Sequence, residues 1–168
     1  MADSAGISLV GRNITVQAGT LTAVSGQVTL VSVGRLSNPN VGGEVVVAGS
    51  GQGAGFTPTG FRSLGTINLS QGSTLDASET TGTPNGAGSV VIRGGQFVME
   101  GSSIKAVTGS SGATIEVTAE QVALSNHSTI DTTASYDFVV AISWASHVQC
   151  RHLLRERFRD LGPPQISK

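Results

Sequence analysis

Up to residue 135 the apolar residues of this chain recur at intervals of two, with no sustained stripe at helical spacing. Three stretches share one pattern: residues 67–75 (INLSQGSTL), 96–104 (QFVMEGSSI) and 122–130 (VALSNHSTI). Each sets an aliphatic residue (Leu69, Val98, Leu124) six places before another (Leu75, Ile104, Ile130), with a polar Ser/Thr/Gly/Asn link between. The copies begin roughly 29 and 26 residues apart, a period that points to a stacked repeat architecture.

The flanking segments carry strand patterns of the same kind. Residues 7–10 and 14–16 alternate apolar and polar, as half-buried strands do, around a turn at Gly11-Arg12-Asn13. Residues 19–26 form a looser connector in which Leu21 and Val24 are expected to face inward. Residues 27–34 (QVTLVSVG) direct Val28, Leu30 and Val33 toward a core, and residues 44–48 (EVVVA) are another β-rich run. Asn38-Pro39-Asn40 is a turn by composition, and residues 49–60 (GSGQGAGFTPTG) read as a glycine-dense loop. Residues 89–93 and 114–118 add one strand before each later copy.

A coil of three short strands per turn accommodates these facts together. In such a parallel β-helix, equivalent residues stack at about 4.8 Å along the axis, and the two aliphatic positions fill the interior. The position after the inner column then holds Asp76, Lys105 and Asp131, alternating in sign. In register, Lys105 lies between two carboxylates.

Composition agrees with short strands and uncharged turns: 12% of the 168 residues are charged, and 23 are glycine. A chain that disorders through charge repulsion would carry more charge and less hydrophobicity. The formal net charge of -1 provides no basic footprint for nucleic acid. No apolar run is long enough to insert across a membrane as a helix. One cysteine, Cys150, cannot build an internal disulfide framework. The N-terminus lacks the basic-then-apolar pattern of a signal peptide.

The phrases QVTLVSVG, GTINLSQGSTLDAS, VVIRGGQFVMEGSSIKA and VALSNHSTIDT resemble the stalk of filamentous-haemagglutinin-type exoproteins exported by two-partner secretion. The resemblance covers residues 7–134 and implies a right-handed parallel β-helix, a repeat solenoid. It also implies passage through an outer-membrane pore transporter and a role as a secreted or surface adhesin. Residues 1–135 are thus expected to be a non-catalytic stalk fragment, with no cofactor and a receptor the sequence does not specify. The full-length parent would be secreted or held at the outer cell surface; this chain, without a signal peptide, is expected to stay in the cytoplasm. The family's N-terminal secretion domain is largely missing, and there is no Arg-Gly-Asp triplet, the nearest string being Arg93-Gly94-Gly95. The alternative is a β-helical carbohydrate-binding or polysaccharide-cleaving protein.

Residues 136–168 are compositionally distinct: aromatics and basic residues gather there, and Gly162 is the one glycine. Residues 149–162 fit an amphipathic helix, with Cys150, Leu154, Phe158 and Leu161 on one face and Arg151, Arg155 and Arg159 beside it. Three accounts of this helical or disordered tail stand: a frameshifted or truncated end, a cap over the last turn of the coil, or a basic helix for a membrane surface or partner.

Candidate chemistry is sparse. Gly51-Gln52-Gly53-Ala54-Gly55 lacks the Lys-Ser/Thr of a phosphate-binding loop. His147, Cys150 and His152 lie close in sequence but offer three zinc ligands without a fourth. The acid pairs Asp76/Glu79 and Glu116/Glu120 are close enough in sequence to be weighed for glycoside hydrolysis. Glu116 and Glu120 would share a face only in a continuous strand, and residues 119–121 look like a turn. Sequons begin at Asn13, Asn68 and Asn126, as chance allows in a Ser/Thr-rich chain. No residue is therefore assigned to catalysis, a cofactor or a metal.

Overall fold

The computed structural model describes residues 6–40, 42–48, 55–79, 86, 88–109, 113–132, 138–143 and 148–150. Every regular element among them is a strand. In chain order these are β1 (Ile7–Gly11), β2 (Asn13–Gln17), β3 (Thr20–Thr22), β4 (Gln27–Ser32), β5 (Glu44–Ala48), β6 (Gly55–Thr59) and β7 (Thr66–Ser70). Next come β8 (Thr74–Asp76), β9 (Ser89–Glu100), β10 (Ser103–Lys105), β11 (Ala113–Ser125) and β12 (Thr129–Asp131), and then β13 (Phe138–Ser143) and β14 (Val148–Cys150).

The parallel strands form three columns, two of them in one curled eight-stranded sheet and the third a separate four-stranded sheet. In the first, β1 pairs with β4, β4 with the first half of β9, that half with the first half of β11, and β11 with β13. In the second, β2 pairs with β7, then come the second halves of β9 and β11, then β14. The third runs β3, β8, β10, β12. Strands that neighbour in space are thus separated in sequence by one passage through the other columns.

All three columns face one apolar core. The first contributes Val28, Leu30, Val90, Ile92, Ile115 and Val117; the second contributes Ile67, Leu69, Phe97, Met99 and Val122. From the third come Leu75 and Ile104, fully buried, and an inner stack of Ala23, Ala77 and Ala106. Period-two alternation sets which side chains of β2, β7 and the second half of β9 leave water, whereas β4 and the start of β9 are buried on both faces; each large side chain is worth about 1.5–3 kcal/mol when fully buried.

Alternation changes phase where the first column bends into the second. In β9 the core-facing positions run Val90, Ile92, then Phe97 and Met99, with Gly94 buried at the bend; in β11 they run Ile115, Val117, Ala119 and then Val122. The expected turn at residues 119–121 is a bend within one extended strand, so that reading is corrected. Small residues occupy the inner side of the bend: Gly94, Ala119 and, on β4, Ser32. The Ser32 hydroxyl donates to the Arg12 carbonyl at 2.8 Å, tying adjacent passages of the chain together.

The second bend, into the third column, uses left-handed backbone. Gln71 and Gly72 both have positive φ, as do Asn126 and His127, whereas Gly101 alone does so after β9. That turn is one residue shorter, so the inward partner of Leu69 and Leu124 is Met99 rather than Val98. The expectation that Val98 is the inner aliphatic residue is thereby corrected: Met99 is fully buried, and Val98 lies half-buried on the opposite face. Buried Ser73 and half-buried Ser128 close these turns, donating to Ser70 O at 2.5 Å and Ser125 O at 2.6 Å.

Other connectors also differ from expectation. Residues 20–22 of the first connector are β3, and Val24 is 47% exposed because the chain turns at residues 24–25, where Ser25 takes a left-handed φ. Between β4 and β7 the described residues of 33–65 leave the sheet as an antiparallel arm. Its base is bridged at Val33↔Leu64 and Leu36↔Phe61, which draws Val33 away from the core. Beyond the base, β5 and β6 pair antiparallel. Residues 55–59, read from composition as loop, are therefore strand; ladder pairing with the β-branched run of β5 overrides their Gly and Pro content. Residues 49–54 lie outside the described residues.

Past residue 135, β13 pairs with Ala113–Thr118 and β14 with Val122–Leu124 of β11, in parallel. Residues 149–150, the first two of the expected helix, are thus strand, because the edge of β11 offers backbone partners. Residues 151–168 lie outside the described residues.

Candidate functional site

The outward charge ladder has the register expected of it: Lys105 pairs with Asp76 on β8 and Asp131 on β12. Ladder register fixes the backbones, while Asp76 also accepts the Ser78 backbone N–H at 2.9 Å, which holds its carboxylate at its own turn. Replacing Lys105 with Glu should cost about 0.2–1 kcal/mol, since three like charges would then stack across strands. A urea melt of the Lys105→Glu chain checks this, and no loss of stability would contradict it.

The paired carboxylates are engaged separately. Glu116 and Glu120 both turn away from the core, Glu116 on the straight part of β11 and Glu120 within its bend at residues 119–121. Glycoside hydrolysis uses carboxyl groups about 5–9.5 Å apart. Glu116 instead meets Arg93 at 3.5 Å, with both side chains over a third exposed, and the Thr118 hydroxyl donates to the same carboxylate at 3.4 Å. At the other pair, Glu79 accepts the Thr108 hydroxyl. Asn126 donates its amide to Glu100 at 2.6 Å across the second bend, so that sequon side chain belongs to a structural contact.

Among the described residues no three His, Cys, Asp or Glu side chains gather as metal ligands. His147 and His152 lie outside the described residues, and Cys150 is placed by its strand backbone alone. No helix among the described residues is long and apolar enough to cross a membrane.

The feature that sequence reasoning did not assemble sits where the arm leaves the sheet. An open depression of about 470 Å³ is lined by Arg12, Gly34, Arg35, Leu36, Pro39 and Arg62. The two base bridges set Arg35 opposite Arg62, and the Arg62 backbone N–H donates to the Arg35 carbonyl at 2.9 Å. Arg12 arrives from the bend between β1 and β2, its carbonyl held by Ser32. Gly65 makes this approach possible: a Cβ there would stand 1.9 Å from the Arg12 carbonyl oxygen. The available signal was the pair of short segments 33–36 (VGRL) and 61–64 (FRSL) flanking the arm. Their pairing becomes legible only when residues 55–59 are read as strand.

Neither a family model, nor a curated protein, nor a solved structure matches the chain.

Proposed function

We propose that this chain is a segment of a right-handed parallel β-helix and serves as the non-catalytic stalk of a secreted adhesin-type exoprotein. The observation that carries the reading is the three columns of parallel, in-register strands around one apolar core. Read as a coil, each passage through the columns is one rung, and rungs add length without changing the cross-section. The outward positions of the second column are mostly short and uncharged, such as Thr15, Asn68 and Ala123, which suits a surface that spaces and presents. The arm between β4 and β7 is the element that departs from the shaft. By the resemblance of the repeated phrases, the parent would leave the cell through an outer-membrane pore transporter, and residues 136–168 would be either its frameshifted end or a cap.

The test is location in the producing cell. Antibody raised against the chain should label intact cells or the culture supernatant. Labelling confined to lysed cells would overturn the exoprotein reading.

A further inference from the structure

We propose that the depression at the base of the arm binds a tetrahedral oxyanion, sulfate or phosphate, between Arg12, Arg35 and Arg62. Arg35 and Arg62 stand directly opposite each other on an antiparallel pair, where like charges destabilise the pairing. A third cation, Arg12, lines the same depression, and no carboxylate does so among the described residues. An anion there converts a mutual repulsion into a shared attraction. The guanidinium group is suited to it, since its planar fork presents parallel N–H donors to two oxygens of one anion. Leu36 and Pro39 line the depression beside the charges. The three arginines line the depression from the β1–β2 bend and from both sides of the arm, so binding would also brace the arm against the shaft.

The test follows the arginine Nε–H resonances of the full chain by NMR during titration with inorganic sulfate, with inorganic phosphate, and with chloride at matched ionic strength. Sulfate should give saturable shifts at the three arginines that chloride does not reproduce. Arg35→Gln and Arg62→Gln should each weaken binding at least about tenfold, in line with a charged hydrogen bond, while Arg93→Gln, which does not line the depression and pairs with Glu116, leaves it unchanged. Equal saturation by phosphate across neutral pH marks a site for either oxyanion; saturation by phosphate that strengthens as the dianion forms marks a site for phosphate. Without either anion, Arg35→Gln should melt at or above the parent temperature, because one of two opposed charges is gone. Linear shifts shared with chloride, or equal weakening by Arg93→Gln, would overturn the proposal. So would an Arg35→Gln chain that is destabilised in anion-free buffer.

Discussion

Substituting alanine for Gly88 is expected to abolish cooperative folding. A Cβ at that position would lie 1.5 Å from the carbonyl oxygen of Gly26 and 2.5 Å from its carbonyl carbon. Both contacts are backbone, so no rotamer change relieves them. Here the chain enters β9, with the Gly88 N–H donating to Ala77 O at 2.9 Å and the Ser89 N–H donating to Gly26 O at 3.0 Å. Moving the strands apart to admit a methyl group would break these bonds and the in-register pairing of β4 with β9 that follows. Losses beyond about 4 kcal/mol belong to a short list of mechanisms, backbone obstruction in a packed region among them. Circular dichroism during a urea titration should show no cooperative transition; a melt within about 1 kcal/mol of the parent would refute the close approach.

The second large effect is expected from Phe97→Ala. Among the described residues Phe97 is the largest fully buried side chain, and it stands in register between Ile67 of β7 and Val122 of β11. Truncation leaves a cavity between three stacked strands that the sheet cannot collapse, at a cost of about 3–5 kcal/mol. Val98→Ala, one residue along, removes a half-buried side chain from the other face and should cost less than about 1.5 kcal/mol. Chemical denaturation of both variants checks the phase of the strand directly. A larger loss at Val98 would mean that the face assignment is inverted.

That phase shows which parts of the fold the sequence carries openly. In the third column a lone aliphatic residue sits between polar neighbours in Thr74-Leu75-Asp76, Ser103-Ile104-Lys105 and Thr129-Ile130-Asp131. Only one inside position is available, so the strands align by inspection and the charge register of Lys105 follows. In Phe97-Val98-Met99 every residue is apolar, so hydropathy cannot choose a face. The choice is made by the number of left-handed residues in the next turn, one at Gly101 against two at Asn126 and His127. Likewise Ala119, Glu120 and Gln121 carry no signal that separates a bend within a strand from a turn. β6 is hidden for a different reason: its Gly, Thr and Pro content disfavours a strand, and only its pairing with β5 creates one. The arginine depression depends on that same non-local pairing, and so was legible only in three dimensions.

The most direct test of the coil is a set of distances along one outward column. Thr22, Asp76, Lys105 and Asp131 occupy equivalent positions in β3, β8, β10 and β12. Spin labels on cysteines placed pairwise at these positions, with Cys150 replaced by Ser, would be measured by electron paramagnetic resonance. The stack predicts distances from residue 131 that grow by about 4.8 Å per strand, reaching about 14 Å at residue 22. A distance from 131 to 22 no longer than that from 131 to 76 would contradict the coil, and the stalk function proposed on it.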